Sequence, residues 1–231
     1  MQTDTYALPH VEVARRSFVV KVYAWMALAL TLTALVAMTV ASYEGLIGVI
    51  LTNRILFFVL IIAQLGLVIL LSARIDKMSA ATATFVFFAY AALTGVTFSV
   101  LFAIYTAASI ASTFFVTAGT FGVMSAYGYF TRRDLTSWGN LLFMGLIGII
   151  IASVVNFFLQ NQTVYWVVTF LGVLIFVGLT AYDTQKIKNM GAEVSIESEE
   201  GRKRAVMGSL ALYLDFINLF LMLLRLMGRR R

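Results

Sequence analysis

Seven stretches of this chain stay apolar for about 20 residues, the length a helix needs to cross the hydrocarbon of a bilayer. They cover residues 19–42, 55–73, 82–104, 107–129, 141–159, 164–187 and 205–227. A soluble fold of 231 residues could not hide so much apolar surface, since 61% of the chain is hydrophobic and only 12% charged. Soluble domains carry about 25% charged residues. The pattern predicts an all-α membrane protein, a bundle of seven transmembrane helices. It excludes a cytosolic enzyme, a nucleic-acid binder and a disordered chain.

The first run is too long for the core of a signal peptide, and Lys21, Tyr23 and Trp25 near its start fit interfacial anchors. The sole proline, Pro9, lies outside every run, so no span is kinked by proline. The connections are short and leave no room for a soluble domain. The expected organisation is a cytoplasmic tail over 1–18, a transmembrane domain over 19–228 and a basic tail over 229–231. The longest connection, 188–204, carries Glu193, Glu197, Glu199 and Glu200 ahead of Arg202, Lys203 and Arg204. It reads as a solvated, mobile loop. Small residues recur at helical spacing, as Ala91, Gly95, Ser99 and as Gly145, Gly148, Ala152. In lipid such positions let helix backbones approach closely, so both sets read as packing faces.

Orientation follows from basic residues, which gather on the cytoplasmic side. Twelve of the 17, among them Arg15, Arg16, Arg74, Lys77, Arg132, Arg133 and Arg202, fall on one side of seven crossings. Five fall on the other: Arg54, Arg225, Arg229, Arg230 and Arg231. The N-terminus is therefore expected in the cytoplasm. The basic tail then lies outside, unless the last helix is re-entrant.

The chemistry is narrowed by what is scarce. There is no cysteine and one histidine, His10, so a zinc site is excluded, and no cofactor is expected. Of the eleven acidic residues, only Asp183 and Asp215 lie within apolar sequence. An ionisable residue there must pair, protonate or bind a cation. Two antiparallel neighbouring helices could bring these carboxyls to similar depth. Two carboxylates in a low dielectric cannot both ionise cheaply, so a shared proton and a pH-sensitive element are expected. Alternatively each aspartate bonds locally, with Thr180, Tyr182, Tyr213, Asn218 and Arg225 within reach. Arg74, at the end of the second span, is the best basic latch from elsewhere in the bundle. A calcium ion wants six to eight oxygens, so the two carboxylates would make only a weak, leak-like metal site. An intramembrane aspartyl protease is disfavoured, because Asp215 sits in LYLDF rather than Gly-x-Gly-Asp.

Segment 176–187 reads FVGLTAYDTQKI and segment 211–221 reads ALYLDFINLFL. Both resemble the signature motifs of the transmembrane Bax inhibitor motif family, in the expected order. LTNR at 51–54, YTAASIASTF at 105–114 and NLLFM at 140–144 resemble its bacterial inner-membrane members. The resemblance implies seven helices, with two three-helix layers around a central C-terminal helix. It also implies a cytoprotective membrane protein, with a pH-sensitive calcium leak attributed to a bacterial homologue. There the two motif aspartates, matching Asp183 and Asp215, form the pH sensor, and an arginine near the place of Arg74 latches the first. Gln64 stands where a homologue has a membrane glutamate. Two roles follow: a pH-gated cation leak, with flux expected to fall in acid, or a modulator of other membrane proteins such as a quality-control protease. The expected partners are membrane lipid, calcium or another cation, and that protease; no nucleic acid and no catalytic role are expected.

Overall fold

The computed structural model describes the backbone of residues 7–231 and the side chains from residue 12 onward. Residues 1–6 of the predicted tail and the side chain of His10 lie outside the described residues. The described chain is helical throughout: α1 Ala7–Ser42, α2 Glu44–Thr52, α3 Arg54–Arg74, α4 Ala80–Ile104, α5 Ala107–Phe130, α6 Thr136–Leu159, α7 Gln162–Glu193 and α8 Glu199–Met227, with a 3₁₀ turn at Ile75–Lys77. Seven of these are long and apolar enough to span a membrane. Their outward surface confirms the solvent they need. Ile55, Phe115, Phe130 and Phe158 are 77%, 72%, 76% and 76% exposed, positions only lipid can cover at scale.

Local polar groups set the breaks between helices. Asn53 ends α2 and starts α3, its Oδ1 accepting from the Leu56 N–H at 3.0 Å. Ser79 caps α4 through the Thr82 N–H at 3.1 Å, and Ser198 caps α8 through the Gly201 N–H at 2.9 Å. Each satisfies a backbone donor that the helix itself cannot.

Three features bear on the sequence-based expectations. The predicted tail over 1–18 is helical from Ala7, as an extension of the first span. The connection over 188–204 is not a mobile loop: α7 continues to Glu193 and α8 begins at Glu199. Its charges explain why. Arg204 pairs with Glu193 at 3.1 Å and with Glu200 at 2.9 Å, and Arg202 pairs with Glu199 at 2.8 Å. Last, α8 runs unbroken for 29 residues, and the Arg231 N–H donates to the Ile104 carbonyl at the end of α4, at 3.0 Å. Helix α8 is thus one continuous helix, long and apolar enough to cross a membrane.

The chain forms two compact units, one of residues 1–106, 187–213 and 231, the other of 107–186 and 214–230. In the first, α1 packs along α4. Phe18, Val22, Ala29 and Thr33 of α1 and Phe87, Ala91 and Thr94 of α4 are buried at the three-to-four spacing of one helix face. A Cβ on Gly95 would lie 2.6 Å from the Thr33 carbonyl oxygen, so only glycine permits this approach. Tyr213 of α8 is fully buried, with the Phe87 and Tyr90 rings edge-on at 5.9 and 5.7 Å. In the second unit, Ile149, Val168, Ile175, Phe176, Leu179 and Leu219 form the core, from α6, α7 and α8.

Candidate functional site

The site lies in the second unit, where α7 and α8 carry the two motif segments. Glycines and small residues bring α7 close to its neighbours. Gly128 of α5 abuts the backbone of Ala181, Gly139 of α6 abuts the Tyr182 ring, and Gly178 receives Leu142. Thr180 turns its hydroxyl onto the Phe176 carbonyl of its own helix at 2.8 Å, as threonines do inside apolar helices. Helix α7 is thus clamped immediately before Asp183.

Asp183 is half-buried, and Asp215 of α8 is only 4% exposed. Their carboxyl groups are close enough to act on each other's charge. A carboxylate has no donor, so a hydrogen bond between the two forms only when one of them holds a proton. Asp215 Oδ2 is buried without a hydrogen-bond partner. Lys186, one turn beyond Asp183, is close enough to attract its charge. Its i, i+3 spacing from Asp183 is the sequence signal of that contact.

The other candidates are dispersed. Tyr213 directs its hydroxyl to Thr33 Oγ1 at 2.6 Å. Asn218 donates to the Leu214 carbonyl of its own helix at 2.8 Å. Tyr182 packs on Gly139. Arg225 lies ten residues beyond Asp215, about 15 Å along the helix. Its guanidinium sits over the Tyr165 ring, 5.7 Å from the centroid. Arg74 is exposed at the end of α3 and makes no ion pair among the described residues. Gln64 bonds within the first unit, donating to Thr97 Oγ1 at 2.6 Å.

Chemically, the pair can hold and release a proton inside apolar surroundings, and when ionised it can attract a cation. Among the described residues no group of three or more His, Cys, Asp or Glu side chains converges. A calcium ion here would therefore draw most of its oxygens from carbonyls and water.

Comparison with known proteins gives a consistent result. The family model described as inhibitor of apoptosis-promoting Bax1 matches residues 15–231. Inner membrane protein YbhL of Escherichia coli K12 is 56% identical over 217 residues, which cover 94% of this chain and 93% of that protein. An uncharacterized protein of Borreliella burgdorferi is 46% identical, with 94% of each chain covered. Protein RP147 of Rickettsia prowazekii is 44% identical over 94% of this chain and 91% of its own.

Proposed function

The chain belongs to the family of inhibitors of apoptosis-promoting Bax1, and on that premise we propose that it is a pH-sensitive cation leak of the bacterial inner membrane. Asp183 and Asp215 are its proton sensor and part of its ion pathway. The inner-membrane assignment follows the name of its relative YbhL together with the seven apolar helices.

One observation carries this reading: two neighbouring carboxyl groups, one buried and one half-buried, on two of the long apolar helices. A hydrogen bond between them exists only while a proton is held. When the proton leaves, two negative charges face each other in a poor solvent, and the helices must separate, recruit a cation or both. Lys186 offers partial relief, and the family resemblance assigns Arg74 the part of a latch. A calcium ion attracted by the ionised pair would be bound weakly, which suits permeation because the ion must also leave.

The test is calcium entry into proteoliposomes of purified protein between about pH 5 and 8, where shared-proton carboxyls commonly titrate. Flux is expected to fall as the pair takes up its proton. Asp183→Asn and Asp215→Asn should each flatten the profile, since asparagine keeps the volume but cannot titrate. An unchanged pH profile in both variants would reject the sensor. It would turn attention to a role as modulator of a membrane protease, without transport.

A further inference from the structure

A second polar site lies at the α6–α7 end of the second unit. Here a cavity of about 400 Å³ is lined by Asn156, Gln160, Asn161, Gln162, Tyr165 and, from α8, Arg225. The only charged group in its wall is the Arg225 guanidinium, and no carboxylate pairs with it among the described residues. Its contacts are the Tyr165 ring and Met222 Sδ, 3.9 Å from Nη1. Neither neutralises it.

The amides around it are arranged as donors. Asn156 Oδ1 accepts from the Asn161 N–H at 2.9 Å, and Asn161 Oδ1 accepts from the Val164 N–H at 3.1 Å. Both carbonyl ends are thereby engaged with backbone, which leaves the NH₂ ends for the cavity. Helix α7 begins here with no acidic residue in its first turn, so the positive end of its dipole meets only the neutral Asn161 cap. Gln160 adds its amide from a left-handed backbone conformation, φ 51°, the only positive φ of a non-glycine among the described residues. That conformation is the left-handed cap that ends α6, its N–H donating to the Asn156 carbonyl at 2.8 Å, and it turns the chain at the cavity edge.

We infer that this cavity binds a phosphate oxyanion. An arginine fork and several amide donors exceed what a carboxylate's two oxygens can use, and match the three or four acceptor oxygens of a phosphate. The source is either a phospholipid headgroup or a soluble phosphate compound. The surroundings suit a lipid: Phe157, Phe158, Trp166 and Phe170 are exposed beside the cavity, and aromatic residues next to a basic pocket are how helical bundles hold headgroups.

Native mass spectrometry and thermal unfolding of the full-length protein in detergent test this, using phosphatidylglycerol, diacylglycerol and inorganic phosphate as probes. Phosphatidylglycerol is expected to stay bound and to raise the midpoint, whereas diacylglycerol, which lacks the phosphate, should do neither. Arg225→Gln should weaken binding about tenfold or more, the usual loss for a charged hydrogen-bond partner. Gln162 is exposed and makes no structural bond, so Gln162→Leu should fold normally and weaken binding several-fold. Inorganic phosphate binding with the same dependence on Arg225 and Gln162 would assign the site to a soluble phosphate compound. Binding of phosphatidylglycerol alone would assign it to lipid. If neither probe binds, or if both variants retain phosphatidylglycerol as wild type does, the inference is overturned.

Discussion

Gly128 of α5 lies directly against the backbone of Ala181 on α7, so closely that a Cβ built on it would overlap the Ala181 carbonyl oxygen. Ala181 is two residues before Asp183, and this crossing fixes the part of α7 that carries the sensor. A backbone oxygen cannot step aside as a side chain can. Gly128→Ala should therefore cost about 1–3 kcal/mol, the range for overpacking a tight contact. Gly122, on the same helix, has open space for 4 Å around the place a methyl group would take, and Gly122→Ala should be neutral or stabilising by up to about 1 kcal/mol. Thermal unfolding of the two variants in detergent distinguishes them, and equal effects would refute the crossing.

The carboxyl pair makes a prediction about additivity. The Asp183 and Asp215 carboxyls are close neighbours, so their substitutions should not be independent. In a double-mutant cycle, Asp183→Asn and Asp215→Asn should show a coupling of about 0.5–3 kcal/mol, whereas distant sites add within about 0.5 kcal/mol. Stability of the four proteins measured at one pH completes the cycle. Strict additivity would mean that the two groups do not interact.

Thr33 and Tyr213 test the first unit in the same manner. The Thr33 hydroxyl reaches the Ala91 carbonyl at 2.8 Å and the Tyr213 hydroxyl at 2.6 Å. Both residues are buried, so Thr33→Val takes one partner from the tyrosine hydroxyl, which also has Thr94 beside it, and should cost about 0.5–1.5 kcal/mol. The paired change Thr33→Val with Tyr213→Phe removes both polar groups and should recover part of the loss. A midpoint for the double variant below that of Thr33→Val would count against this account.

Sidedness can be read in a chain without native cysteine. The positive-inside count predicts the short α7–α8 connection in the cytoplasm and the α6–α7 connection outside. A cysteine introduced at Ser198 should react with an impermeant maleimide only after the cells are opened. One at Thr163 should react in intact cells. The reverse pattern would invert the topology.

Much of the fold is legible in the sequence, and the reasons are specific. The seven spans follow from length and hydropathy alone. The nine-residue α2 does not, since a short apolar helix between Tyr43 and Asn53 looks like the fringe of its neighbours. Asp183 and Asp215 stand out because no other acids lie within apolar sequence, and the fold brings them together. Arg225 stands out too, but sequence proximity ties it to Asp215, and helix geometry carries it to another site. Small-residue spacing is informative only in part. Gly95 is pressed against α1, whereas Gly148 has open space beside it. Spacing identifies a face, but not which face has a partner. The charged connection over 188–204 reads as a loop because composition does not reveal ion pairs: Arg202–Glu199 and Arg204–Glu200 lie within α8, and Arg204–Glu193 ties α8 to the end of α7.

The left-handed backbone at Gln160 has a consequence for how this protein can be improved. Glycine would occupy φ 51° without steric objection, and an L-residue there costs about 1–2 kcal/mol. Gln160→Gly is thus an inexpensive stabilising change that removes an amide from the phosphate cavity. Random selection for thermostability alone should find it, and selection that also demands phosphate retention should reject it. If the cavity holds phosphate, this one position trades robustness against recognition.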